Sequence, residues 1–216
     1  RDYYASRGLG DVYKRQNLAD NTVEILKYTG TESNVTIPDK IDNKVVKTLG
    51  AESFTENETV VGVTIPAQVT NLQYGAFASC TNLKKVTFAQ GSQLKKIKEE
   101  TFEHCQKLEE IHIPDSVTQI EKGAFYYCRS LSKLTLGKKL EVIDNNAFEG
   151  CSSLKQIEIP DSVESIGEGA FTYCTSLEHV TIGNKLAYVA KSAFSWCNLT
   201  EITWGDGIAK IGDSAF

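Results

Sequence analysis

Residues 147–160 read Ala147-Phe148-Glu149-Gly150-Cys151-Ser152-Ser153-Leu154-Lys155-Gln156-Ile157-Glu158-Ile159-Pro160, and their pattern, Ala-Phe-x-x-Cys-x-x-Leu-x-x-(Ile/Val)-x-(Ile/Leu), returns along most of the chain. The repeated Phe falls at 54, 77, 102, 125, 148, 171, 194 and 216, at steps of 23, 25, 23, 23, 23, 23 and 22 residues. Near-constant steps of this length are the signature of a solenoid, in which each repeat is one coil stacked on the last. Past Cys and Leu, runs such as Leu108-Glu109-Glu110-Ile111-His112-Ile113 alternate with the period of two expected of a half-buried strand. A corner ends the run. It is Pro38, Pro66, Pro114 or Pro160, each after an Ile, or Gly137, Gly183 or Gly205 in other coils. Pro closes a strand because it has no N–H to donate. A return leg then carries a second apolar pair, as in Val117/Ile120, Leu140/Ile143, Val163/Ile166 and Leu186/Val189. The alternating Pro and Gly corners, with Asp115-Ser116-Val117 matched by Asp161-Ser162-Val163, suggest duplication of a two-coil unit.

A lone coil of this kind cannot hold itself together. About six inward side chains at ~1.5–3 kcal/mol each face a backbone cost of ~1–2 kcal/mol for every residue ordered. Stacking at about 4.8 Å per coil buries Phe on Phe and Leu on Leu, so stability becomes a sum over neighbouring coils. The repeat resembles the BspA-type leucine-rich repeat of bacterial surface proteins, from about Asn17 to Phe216. The resemblance implies a leucine-rich-repeat right-handed superhelix with short parallel strands, mostly β and loops. It extends to Glu24–Gly30 and Val35-Thr36-Ile37-Pro38, which are similar to the start of such arrays, where an edge strand caps the first coil. Two departures stand out. Asn57 occupies a Cys position, and one residue is missing between Cys197 and Leu199.

The first sixteen residues fall outside the repeat, and Ser6–Gln16 reads as the translation of a transposon-type sequencing adapter, a scar to be left out of fold reasoning. The expected organisation is therefore 1–16 as scar and 17–216 as one solenoid of about eight coils, with 17–65 as capping coil and the last coil cut at 216. Absence of Met and a stop in mid-coil at Ala215-Phe216 suggest a fragment at both ends, with an uncapped and adhesive last coil. The net charge is −5; the first sixteen residues carry four basic and two acidic side chains, so the remainder carries −7. An acidic body argues against a nucleic-acid partner, which demands clustered Lys and Arg. The densest basic run, Lys95-Lys96-Ile97-Lys98, is followed at once by Glu99-Glu100 and reads as a solvated return leg. No apolar run is long enough for a membrane span.

Cys80, Cys105, Cys128, Cys151, Cys174 and Cys197 share one place in successive coils. Three roles compete. In-register Cβ atoms would sit ~4.8 Å apart, beyond the ~3.5–4.5 Å of a disulfide. Metal binding calls for close pairs or convergent His. A buried small hydrophobe fits the pattern best. His104 adjoins Cys105, but sequence neighbours rarely form a thiol–imidazole couple, and His104 is expected to face solvent. No nucleophile elbow, phosphate loop, zinc-helix or dinucleotide glycine motif occurs, so neither an enzyme site nor a cofactor is expected. The triplets at Asn34-Val35-Thr36, Asn57-Glu58-Thr59 and Asn198-Leu199-Thr200 fit the glycosylation pattern, which matters only in a eukaryotic secretory route.

Alternation along the strands predicts an outward ladder. Its pairs are Gly62/Thr64, Lys85/Thr87, Glu110/His112, Lys133/Thr135, Gln156/Glu158, His179/Thr181 and Glu201/Thr203. Tyr126, Tyr127, Tyr173 and Trp196 lie in the Phe-to-Cys turn and predict an aromatic edge; ligand contact and packing between turns are equally open there. The family resemblance implies a non-enzymatic binding or adhesion module of a secreted or cell-surface protein, with a protein or glycan partner that includes host extracellular matrix. The alternative is a structural spacer or a targeting module attached to a catalytic domain elsewhere in the same protein.

Overall fold

In the computed structural model, residues 12–216 are described, and they form a parallel β-solenoid of about eight turns with no helix among them. Residues 1–11, and with them most of the adapter-like stretch, lie outside the described residues. Strands are numbered along the chain. A hairpin opens the stack, with β1 (Tyr13–Asn17) antiparallel to β2 (Val23–Tyr28). The alternating runs then build the long leg of each coil. β3 (Asn34–Thr36), β6 (Gly62–Ile65), β8 (Lys85–Phe88), β10 (Glu110–His112) and β12 (Lys133–Thr135) form one parallel sheet. β14 (Gln156–Glu158), β16 (His179–Thr181) and β18 (Glu201–Thr203) form a second.

The return legs form a parallel ladder of their own. It starts from β2 through β5 (Lys44–Leu49) to β7 (Asn71–Leu72), with β4 (Lys40–Ile41) folded back antiparallel on β5. A separate six-stranded parallel sheet carries on from it, with β9 (Lys96–Ile97), β11 (Gln119–Ile120), β13 (Val142–Ile143), β15 (Ser165–Ile166), β17 (Tyr188–Val189) and β19 (Lys210–Ile211). Apart from shifts at Lys14/Arg15 and Val23/Glu24 in the opening strands, the pairing is in register. Ile120 meets Ile97 and Ile143, and Val180 meets Ile157 and Ile202. The apolar residue of each rung therefore sits on its counterpart, as a strand periodicity with one buried face requires.

The third side of each coil, the Ala-Phe-x-x-Cys turn, is hydrogen-bonded from coil to coil as well. The Phe N–H of one coil donates to the carbonyl preceding the next Phe, as in Phe102 to Ala124, Phe125 to Ala147 and Phe148 to Ala170, each at 2.8 Å. This geometry uses two left-handed residues four positions apart, among them Glu100 and His104, Gly123 and Tyr127, Asn146 and Gly150, Gly169 and Tyr173, and Ser192 and Trp196. Their N–H groups point along the stack axis. Tyr127 donates to Glu149 at 2.7 Å and Gly150 to Thr172 at 2.8 Å. With all three sides hydrogen-bonded, a coil can bury its backbone without orphaned donors.

The core is a column of rings. Tyr28 stacks on Phe54 with centroids 4.9 Å apart, and the Phe series continues at 4.8, 5.4, 5.2, 5.0, 5.2 and 5.1 Å to Phe194, then 5.6 Å to Phe216. Tyr13 of β1 closes the other end, 5.4 Å from Tyr28. Each such pair contributes ~0.5–1.5 kcal/mol beyond the area it buries. Ala76, Ala124, Ala147, Ala170 and Ala193 are fully buried beside the column; Ser53 and Thr101 take the same place, and Thr101 donates its hydroxyl to the Lys98 carbonyl at 2.8 Å.

The corner residues follow from how closely coils approach. A Cβ on Gly137 would come within 2.4 Å of the Pro114 carbonyl, and one on Gly183 within 2.5 Å of the Pro160 carbonyl. Only glycine can lie across the preceding corner there. The Asp after each of these prolines then stitches the coils, with Asp115 accepting from the Lys138 N–H at 2.8 Å and Asp161 from the Asn184 N–H at 2.9 Å. Asn57, out of pattern in sequence, caps its own turn by accepting from the N–H of Thr59 and Val60 at 3.0 and 2.9 Å.

Phe125, inside the column, and Phe216, 44% exposed at its end, allow a direct comparison. Phe125→Ala is expected to cost ~3–5 kcal/mol by urea unfolding and Phe216→Ala under about 1 kcal/mol. Equal losses at both positions would contradict a column built on neighbour contacts.

Candidate binding surfaces

Three sets of side chains singled out in the sequence are positioned by this stack: the strand ladder, the turn aromatics and the thiols. Ladder residues Lys85, Thr87, Glu110, His112, Lys133, Thr135, Gln156, Glu158, His179, Thr181, Glu201 and Thr203 are all exposed on the long leg. Register places Glu110 between Lys85 and Lys133, and His179 between Gln156 and Glu201. The second column pairs Thr64 with Thr87, His112 with Thr135, Glu158 with Thr181 and Thr181 with Thr203. Charge along the first column alternates from Lys85 through Glu110 to Lys133. Lys85 reaches Glu110 at 4.0 Å, Lys84 reaches Glu109 at 3.2 Å, and the His179 ring lies 3.4 Å from Glu201. Exposed pairs of this kind contribute at most about 1 kcal/mol each, but they leave the face nearly neutral, with no large apolar anchor.

The four turn aromatics do not form one set. Tyr127, Tyr173 and Trp196 occupy the second left-handed position of their coils, with φ of 55, 59 and 59°, whereas Tyr126 stands one residue earlier. His104 shares the left-handed position, φ 54°, and joins the cluster with its ring 5.7 Å from both Tyr126 and Tyr127. The His104 side chain is 40% exposed, in keeping with its expected solvent-facing position, and the shared turn position adds the aromatic contacts. Tyr126 and Tyr127 are half-buried and pack edge to face at 4.6 Å. The Tyr127 ring lies over Gly150, where a Cβ would come within 3.0 Å of it, and the Arg129 guanidinium sits 5.2 Å from the ring centre. Tyr173 instead faces outward, 43% exposed even though the ring of Trp196, in the last full coil of this sequence, stacks on it at 5.9 Å. Packing thus accounts for the first pair and exposure distinguishes Tyr173.

The left-handed position carries a cost for such residues. A non-glycine residue there costs of order 1–3 kcal/mol and persists only because its surroundings enforce it, and Gly150 shows that glycine serves the turn. The backbone imposes the conformation; it does not call for a large ring.

The thiols form a ladder. Cys80, Cys105, Cys128, Cys151 and Cys174 are buried and unbridged, and each donates to the carbonyl of the Phe in the preceding coil at 3.0–3.4 Å. They pack as small hydrophobes and supply a weak hydrogen bond besides. Burial pushes the Cys80 thiol up to about 12 and Cys105, Cys128, Cys151 and Cys174 well above the ordinary range. Cys197 is also unbridged but only partly buried, in the coil with the missing residue; it lies 3.2 Å from the Phe171 carbonyl, and the neighbouring Cys174 thiol, as a hydrogen-bond donor, holds its pKa below the usual value.

Known proteins share this geometry. A family model described as BspA type leucine rich repeat region matches residues 24–155 and 95–216, with six copies of the repeat. Among solved structures, the chain is similar to the leucine rich repeat protein of T. pallidum, at 25% identity and a TM-score of 0.68 over 96% of this chain and 86% of that one. It is also similar to a leucine rich cell surface protein of Faecalibacterium prausnitzii A2-165, at 28% identity and a TM-score of 0.65 over 100% and 74%. The pneumococcal vaccine antigen PcpA shares the fold at 21% identity, with a TM-score of 0.65 over 91% and 69%. None of the curated proteins matches the chain.

The thiolate is the reactive form of cysteine, and a lowered pKa leaves more of it near neutral pH, so Cys197 is expected to react with a disulfide reagent in the native protein while the other five wait for denaturation. Cys197→Ser should remove the fast class alone. Rapid reaction of several thiols in the folded protein would contradict the ladder.

Proposed function

Because this chain belongs to the BspA-type leucine-rich repeat family, we propose that it is a non-enzymatic binding and adhesion module of a secreted or cell-surface bacterial protein, holding a protein or glycan partner at the outer surface of its coils. The observation that carries this reading is Tyr173, 43% exposed although the Trp196 ring stacks on it at 5.9 Å, at a left-handed turn position where any non-glycine residue carries strain and where this ring packs into no core. Exposed Trp and Tyr are the residues most enriched at binding hot spots. The alternating charges of Lys85, Glu110 and Lys133 suit a polar rim, which tunes specificity and encounter more than affinity. The surface location is supported by the F. prausnitzii cell surface protein, 28% identical across the whole of this chain. Among the described residues no helix is long and apolar enough to cross a membrane.

The test is capture on immobilised host matrix proteins and on a glycan array, followed by substitution. Trp196→Ala is expected to weaken the interaction by about 2 kcal/mol, roughly thirtyfold. The ladder variants Glu110→Lys, His112→Ala and His179→Ala should change it by less, chiefly in its salt dependence. Capture that survives both Trp196→Ala and Tyr173→Ala unchanged would remove the turn edge as the contact surface.

A further inference from the structure

The step from Phe77 to Phe102, at 25 residues, is the longest in the array, and the extra chain widens one corner. The coils on either side turn at Pro66 and Pro114, whereas this one runs on through Phe88 into Ala89-Gln90-Gly91-Ser92. Gly91 adopts a φ of 77°, and nothing lies within 4 Å of the place its Cβ would take, so the tip stands clear of its neighbours. Displacing the corner leaves Ser116 in the next coil without its usual bond. Its counterpart Ser162 donates to the Leu140 carbonyl at 2.7 Å, whereas the Ser116 hydroxyl is buried with no partner among the described residues. An unpaired buried hydroxyl is costly and calls for an explanation.

Ser92 and Ser116 border two recesses, one of about 290 Å³ beside the widened corner and one of about 640 Å³ along the return legs. The larger is lined by Thr70, Ser92, Lys95, Lys96, Lys98 and Ser116, with no carboxylate in its wall. Lys96 is shared with Glu121 at 3.3 Å and Lys98 with the Gln73 amide oxygen at 2.5 Å, while Lys95 has no ion pair among the described residues. The positive patch runs from Lys47, whose carbonyl accepts from the Thr70 N–H at 3.0 Å, to Lys98 and ends there. In the coils that follow, the same leg carries Glu121, Glu141, Asp144 and Glu164.

We propose that the larger recess binds a single acidic sugar, the end of a glycan bearing one carboxylate or sulfate. Two unshared or amide-bonded ammonium groups can take the acid by charge-assisted hydrogen bonds. The hydroxyls of Thr70, Ser92 and Ser116 suit sugar hydroxyls, which both donate and accept. An extended polyanion such as a nucleic acid would run onto the carboxylates of the following coils, against the need for a continuous basic track. This recess is on the return leg, apart from the turn edge and strand ladder, so its failure would leave the binding module reading intact, and the reverse holds too.

The experiment is a titration of the full chain followed by amide NMR. The probes are glucuronic acid, galactose 6-sulfate, galactose, inorganic sulfate, a short oligoglutamate and a short oligothymidylate. Saturable shifts at Ser92 and Ser116 with one or both acidic sugars are expected, about tenfold weaker in Lys95→Ala/Lys98→Ala, given the value of paired charge-assisted bonds. Deleting Gln90 and Gly91 should abolish them. Ser116→Ala should weaken binding with no loss of thermal stability, because it removes a hydroxyl that bonds to nothing in the fold; Trp196→Ala should leave these shifts as they are. Absent shifts with both acidic sugars, equal affinity for galactose or bare sulfate, tighter binding of either polymer, or indifference to the lysine variant would each overturn the proposal.

Discussion

Everything in this molecule depends on the in-register contact between one coil and the next. Backbone bonds on three sides fix the rise, and the rise sets each Phe ring about 5 Å from the ring above it. The same rise places Ile on Ile, Ala on Ala and thiol beneath Phe carbonyl. No coil holds its shape alone, since its inward side chains are satisfied only by its neighbours. That division of labour frees the outward positions. The ladder residues and turn residues can change from coil to coil while the buried phrase stays constant, which is why the strand ladder, the turn edge and the recess are all built from variable positions.

The variable positions are not equivalent. On the long leg, cross-strand neighbours meet at the close spacing of a parallel ladder, so like charges would repel and alternating ones pair. Lys85, Glu110 and Lys133 obey that constraint. At the turn, the constraint is conformational: the chain enters the left-handed region whatever residue is present, and Glu56, Ser79, His104, Tyr127, Gly150, Tyr173 and Trp196 share that state. At the corner, it is steric, and Gly137, Gly183 and Gly205 answer to carbonyls of the coil before.

Much of this was legible from residue spacing. The Phe interval predicts the stack, the alternating runs predict β10, β14 and β16, and the six thiols predict a shared inner column. The hydrogen-bonded turn leg was not legible, because its left-handed backbone angles are shared by Glu, Ser, Tyr and Trp as well as by Gly75, Gly123, Gly150 and Gly169, so no one residue type marks the position. For the same reason His104 was separated from Tyr127, although the two stand at one turn position. The pairing of β1 with β2 was likewise out of reach, since Tyr13 and Arg15 have no counterpart in the repeat and are buried only because Tyr28 and Asp42 lie opposite. The recess beside Ser116 depends on a two-residue insertion that was visible as a longer step, but the loss of one hydroxyl bond was not.

The closed hydrogen-bonded rings give the stack a mechanical character. A load pulling on the chain ends can detach only the terminal coil at any moment, since every inner one is clasped on both sides. Each coil released yields about 23 residues of chain, roughly 75–80 Å when drawn straight. Tension on an anchored molecule would then be relieved in increments, lengthening the tether step by step while the remaining coils, and whatever they grip, stay whole.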